Sequence, residues 1–281
     1  MKLVHRIAML SCASLVALGA TSCKVSECTE TTPDGGTVKK ENCIQLQPTV
    51  EYRDARMRTG GQPWTSGRSI SITNENGPTK VALGGAGDER VAFAGIAFTR
   101  ETNDAAGAQK AKDHLTAMAD PAFNGDFTSL SAPGGGFDGY DLTVWIPSDF
   151  DAALTITTKN GTTTLYGAVG AKTTVVNSHE IKAYDLRGTI NLNASVGDIE
   201  ARGIPTGAGN VVHTDLGDIK VYLGAANLAI TAKTDLGAVT FPSNWMPNVE
   251  ADKKSGSATL GDGSGSLNVT SGNGGIEFGA Q

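Results

Sequence analysis

Over 281 residues the chain is rich in glycine, with 36, and poor in aromatic residues, at 6%, so turns are plentiful and large core side chains scarce. Its 29 acidic side chains outnumber its 23 basic ones, a formal net charge of −6, which excludes the basic footprint of a nucleic-acid binder. Many short strands suit such a composition better than a helical core does.

Residues 1–22 do not belong to the fold. Lys2 and Arg6 form a basic start, and Ile7 to Ala20 is an apolar stretch too short to span a bilayer, as in a secretory signal. The run "LVALGATSC" places small residues before Cys23 and resembles a bacterial lipoprotein signal, in which that cysteine is acylated and becomes the mature N-terminus. One departure is Ala20, which stands where such signals usually carry leucine; the alternative is ordinary cleavage near Ala20 or Ser22. Lipid such as palmitate on Cys23 implies a membrane anchor made of buried methylenes. Loss of the signal removes two basic groups and leaves 21 against 29 acidic ones, a net of −8. Lys24 is not the aspartate associated with inner-membrane retention, which favours the outer membrane or the cell surface.

Cys12 departs with the signal, so Cys28 and Cys43 remain as an even pair in an oxidising compartment. Between them Pro33-Asp34-Gly35-Gly36 reads as a turn between threonine-rich arms. A hairpin clipped by a Cys28–Cys43 disulfide is expected, worth roughly 3 kcal/mol for a loop of this size. Residues 23–60 form a tether in this reading, and residues 61–281 the body.

The body repeats itself about every 20 residues. "NASVGDIEARGI", "HTDLGDIKVYLG" and "KTDLGAVTFPSN" align in columns: Ala194, Thr214, Thr234; Val196, Leu216, Leu236; Gly197, Gly217, Gly237; Ile199, Ile219, Val239. Apolar and small residues keep their columns, while Glu200, Lys220 and Thr240 vary freely between them. Alternation on both sides of a glycine marks strands with a dry inner and a wet outer face. Looser copies are "ISITNENGPTKVAL" (70–83), "LTITTKNGTTTLYG" (154–167), "VVNSHEIKAYDL" (175–186) and "LNVTSGNGGIEF" (267–278). Ile70 and Leu154, Ile72 and Ile156, Gly77 and Gly161, and Val81 and Leu165 fall in matching slots. One unit cannot cover its own apolar face, so a β-solenoid is expected, with Gly161, Gly197, Gly217 and Gly237 piled at a tight corner. Asp198 and Asp218 beside the corner are expected to bond local amides.

Residues 84–146 break the rhythm. A bulge is expected at Gly95, where the phase of Val91 and Phe93 gives way to that of Ile96 and Phe98. Asn103 is expected to cap one helix with Ala108, Ala111, Leu115 and Met118 on one face, ended by Pro121. Leu142, Val144 and Ile146 then restore the strand pattern. The polar stretch 242–266 is longer than one coil and reads as a protruding loop or an irregular extra coil.

This order of elements resembles the putative-adhesin β-strand-repeat family of bacterial envelope proteins over roughly residues 64–279. The resemblance implies an all-β, solenoid-like body with one short helix, and an envelope location. It carries over no catalytic residue.

Parallel β-helices also include polysaccharide-cleaving enzymes, and Asp198, Asp215, Asp218 and Asp235 are the residues such a function would use. Stacking in sequence order sets Asp215 beside Asp235 and Asp198 beside Asp218, which would raise a carboxylate pKa or hold a cation. No basic partner recurs with them, so solvated turn residues are the expected reading and an enzyme is not. No cofactor or metal is expected: "GGAGDERV" and "GDGSGSLNV" are single echoes of calcium-binding rolls, and His114, His179 and His213 do not share a column. Trp64, Trp145 and Trp245 are scattered and suit packing at ends and corners. The expected function is a scaffold or adhesion module for envelope, matrix or cell-surface components. Oligomers through an exposed edge near Phe278 are compatible with it.

Overall fold

In a computed structural model, the described residues are 21–31, 37–84, 89–126, 128–167, 171–224 and 226–281, with side chains described from residue 49 onward. They divide into two compact units, the described residues of 21–54 with 98–117, and those of 55–97 with 118–281.

In the smaller unit, strand Thr21–Thr31 pairs antiparallel with the first part of Thr37–Pro63, with Ser26 opposite Cys43 and Cys28 opposite Lys40. The hairpin arms follow the threonine-rich pattern. Its turn at 32–36, the signal residues 1–20 and the side chains of Cys23, Cys28 and Cys43 lie outside the described residues. Helix α1, Ala105–Ala117, is capped by Asp104 and not by Asn103: the Gly107 amide donates to Asp104 Oδ1 at 2.7 Å. Asp104 holds the cap because the helix begins with the alanine run at Ala105, which makes Asp104 the residue just before it. Gly107, Ala111 and Leu115 form the buried stripe, Ala108 is exposed, and Met118 lies past the helix end. Strand Arg90–Thr102, which runs from the larger unit into the smaller, changes phase at Ala97–Thr99, where three consecutive residues are buried, and not at Gly95.

The larger unit is a two-walled parallel β-solenoid. Each coil lays a strand on one sheet, turns a corner and lays a second strand on the facing sheet. In space the coils run 129–146, 70–83, 153–166, 172–184, 189–202, 210–223, 265–280, 228–240. The matching slots hold: Ile70 pairs with Leu154, Ile72 with Ile156, and Val81 with Leu165. Between the walls Ile72, Ile156, Val175, Leu192, Val212, Val269 and Ala232 form one buried column, facing Val81, Leu165, Ala183, Ala201, Val221 and Phe278. Each large aliphatic residue so buried contributes about 1.5–3 kcal/mol relative to exposure.

Spatial order departs from chain order twice. Coil 70–83 lies between 129–146 and 153–166, and coil 265–280 lies between 210–223 and 228–240. The strand near Phe278 is therefore interior, which corrects the expectation of an exposed edge there. Part of the polar stretch 242–266 turns back as antiparallel strands, Asn248–Val249 and Ser255–Leu260, which cover the edge strand Leu228–Leu236. On the facing wall Phe241 stacks on Phe278 at 4.5 Å, with Trp245 tilted against both.

Candidate functional site

The corners are built from two ladders. Gly77, Gly161, Gly197, Gly217, Gly274 and Gly237 carry φ between 108° and 152°, a backbone that L side chains rarely adopt. A β-carbon on Gly217 would strike the Gly197 carbonyl, one on Gly274 the Gly217 carbonyl, and one on Gly237 the Gly274 carbonyl. The glycines do pile up, but Gly237 rests on Gly274 and not on Gly217, because coil 265–280 intervenes. Coil 172–184 has no corner glycine: only three residues separate Asn177 from Ile181, against four between Thr214 and Ile219.

Three residues before each corner glycine lies a column of buried side chains: Asn74, Thr158, Ala194, Thr214, Ser271 and Thr234, with Asn177 at the glycine-free corner. All but Ala194 are polar. Thr214 donates to the Gly197 carbonyl at 2.9 Å, Ser271 to that of Gly217 at 3.1 Å, and Thr234 to that of Gly274 at 2.7 Å. Each hydroxyl thus closes the corner of the neighbouring coil and satisfies a carbonyl shielded from water. Periodicity reads this column as merely small; the recurring Thr, Ser and Asn were the available signal.

The four aspartates are exposed and do different work. Asp198 Oδ1 accepts the Asp218 amide at 2.8 Å, and Asp218 Oδ1 accepts the Gly275 amide at 2.7 Å. They bond amides of the next coil, not local ones as the turn chemistry suggests. Asp215 and Asp235 are not neighbours, since both align with Gly272 of the coil between them, about two strand spacings or roughly 10 Å apart. The carboxylate pairing that a glycan-cleaving site would need from these two is absent. Among the described residues no group of three or more His, Cys, Asp or Glu side chains is placed to share a metal ion.

His213 lies on the outer face of the first wall, with Nδ1 2.7 Å from Thr270 Oγ1 and Nε2 3.0 Å from Asp215 Oδ1. Hydroxyl, imidazole and carboxylate are the groups of a hydrolytic triad. Here His213 and Asp215 are 37% and 67% exposed on an open sheet, where an ion pair contributes about 0–1 kcal/mol and a nucleophile has no water-excluded site.

On the outer face of the second wall Trp145, Ala82, Tyr166, Tyr184, Arg202 and Tyr222 form one column. Tyr166 and Tyr184 stack at 5.3 Å with planes 24° apart, and the Arg202 guanidinium lies 4.4 Å from the Tyr222 ring centre. Beside them Lys182 pairs with Glu180 at 3.0 Å, and Arg202 with Glu200 at 2.7 Å. The bond to Glu180 raises the pKa of Lys182; burial, and then the Glu200 charge, raises that of Tyr184. Rings stacked on one another turn their faces to their neighbours, so this column stiffens the wall instead of offering a platform. Trp64 packs on Phe150 at 5.3 Å and Trp245 on Phe278 at 6.2 Å, whereas Trp145 heads the flat column, 36% exposed.

One column behaves otherwise. Val196, Leu216 and Leu236 keep the inward phase of their strands yet are 55%, 47% and 60% exposed, because the strand has passed the edge of the core when it reaches them. They form an aliphatic ridge along the corner, interrupted by Asn273 and flanked by the four aspartates. No other corner column exposes three large aliphatic side chains among the described residues.

No helix of the described residues is long and apolar enough to cross a membrane. No family model and no curated protein matches the chain. Among solved structures, a chain described as a "putative cell adhesion protein" from Clostridium sporogenes is 13% identical over 80% of this chain and 100% of that one, with a TM-score of 0.42.

Proposed function

We propose that this chain is a non-enzymatic interaction module of the cell envelope. Lipid on Cys23 holds it at a membrane, in the outer membrane or at the cell surface, and a Cys28–Cys43 disulfide clips the segment that links anchor to body. The solenoid displays a fixed surface to envelope, matrix or cell-surface components. The observation that carries this reading is the corner ridge: the polar groups that resemble chemistry are engaged between coils or lie open to water, while Val196, Leu216 and Leu236 stand unpaired in solvent. Aligned exposed aliphatic side chains mark interaction sites. The flanking aspartates favour a partner whose apolar surface carries basic groups.

Two measurements test it. Metabolic labelling with an alkyne fatty acid should mark the protein in the membrane fraction and lose the mark in Cys23→Ala; an unlabelled, cytoplasmic protein would overturn the anchor and the disulfide together. Replacing Val196, Leu216 and Leu236 with Thr should abolish retention of envelope fragments on the immobilised protein, whereas Asp215→Asn with Asp235→Asn should leave it unchanged. Release of cleaved glycan that the aspartate variant abolishes would identify an enzyme instead.

A further inference from the structure

A concave site lies at the corner opposite the glycines, where the last coils meet the antiparallel cap. The cavity measures about 540 Å³ and is walled by Leu223, Leu260 and Trp245, with the amide side chains of Asn227 and Gln281 among its lining. No lining side chain is charged. Its size falls within the range of about 300–1,000 Å³ typical of small-molecule sites.

We propose that this cavity binds a neutral pyranose ring, as at the end of a glycan chain. Trp245 packs at a tilt on Phe278 and Phe241, with centroids at 6.2 and 6.5 Å, and it also lines the cavity, so an anchored indole borders the ligand space. Sugar rings have an apolar C–H face that suits an aromatic surface, and hydroxyls that both donate and accept. Asn227 is fixed by its neighbours: its Oδ1 accepts the Asp262 amide at 3.4 Å and its backbone carbonyl accepts the Gly265 amide at 2.9 Å. That arrangement leaves the Asn227 amide hydrogens to donate to a hydroxyl. Gln281 is placed by its backbone amide, which donates to the Leu223 carbonyl at 3.0 Å. The site is open to solvent, with Asn227 and Gln281 exposed; a charged ligand would find no side-chain counter-charge in the lining, and a purely apolar one would leave the amides without partners. This assignment stands on the cavity alone and does not depend on the envelope reading.

The test is a titration of the intact, isotopically labelled chain with the methyl glycosides of glucose, galactose, mannose and N-acetylglucosamine to tens of millimolar, followed by NMR. At least one should shift the Trp245 indole N–H and the Asn227 side-chain amide saturably. Asn227→Asp keeps the acceptor for the Asp262 amide but removes the donor, and should weaken binding about tenfold. Trp245→Ala should abolish binding; if its loss from the Phe241 and Phe278 cluster unfolds the end of the stack, Asn227→Asp decides alone. No saturable shift with any of the four glycosides overturns the proposal, as does equal binding by Asn227→Asp. A response to indole or a short fatty alcohol without any to the sugars assigns an apolar ligand and overturns it as well.

Discussion

Thr214 donates its hydroxyl to the carbonyl of Gly197 at 2.9 Å, so a side chain inside one coil fastens the corner of its neighbour. Thr214→Val preserves shape and strands that carbonyl. The expected cost is about 1–3 kcal/mol by chemical denaturation, whereas Thr214→Ser should cost less than half as much. Equal stabilities for the two variants would remove the hydroxyl from the account of the corner.

The corner glycines give a sharper contrast. Gly217→Ala places a methyl group against the Gly197 backbone at a φ of 147° and should destabilise by about 3 kcal/mol or more. Gly67 also has positive φ, at 79°, but nothing lies near its missing β-carbon, so Gly67→Ala should cost only about 1 kcal/mol. Comparable losses at both sites would show that backbone conformation alone, and not stacking, demands glycine at the corner.

Asp215 and Asp235 are separated by an intervening coil, so their effects should add. A double-mutant cycle with Asn at both positions should give a coupling energy within about 0.5 kcal/mol of zero. Asp218→Ala, by contrast, removes the acceptor for the Gly275 amide and should cost about 1 kcal/mol. Strong coupling between the first pair would place their coils side by side, contrary to the register.

Acid should act at Asp151. Its carboxylate accepts the Gly67 amide and the Ser66 hydroxyl, both at 2.9 Å; the backbone bond and then the hydroxyl lower its pKa from 3.8. A depressed folded-state pKa contributes stability that is complete above the unfolded value and lost as pH falls through the folded one. Wild type should therefore exceed Asp151→Asn in thermal stability near neutrality, and the gap should close below about pH 4. A constant gap across that window would assign the difference to something other than ionisation.

The larger elements were legible because period-2 alternation and a fixed glycine spacing are local signals. Ile70 opposite Leu154 and Val81 opposite Leu165 follow from counting alone. Neighbour order did not follow, since a repeat identifies equivalent positions without naming which coil lies next to which. The long polar stretch after Phe241 supplies enough chain to return and seat coil 265–280 inside the stack. Val196, Leu216 and Leu236 keep the phase of core residues, and only the length of the strand relative to the corner shows that they emerge. The Trp245 cavity was illegible for the same reason: its walls come from five separate segments that meet through the displaced coil.

That displaced coil also alters how the protein comes apart. A linear array held by nearest-neighbour contacts peels from its ends, one unit at a time. Here coils 70–83 and 265–280, the first and last of the array to be synthesised, are each gripped on both sides. Strand 228–236 consequently cannot reach its final neighbour until residues 265–273 have been made. Pulse-labelled amide exchange during refolding should show 228–236 and 265–273 gaining protection together, after 189–216. The coils that come first and last in sequence are clamped here, and the ends of the stack are instead coils from within the sequence, 129–146 and 228–240.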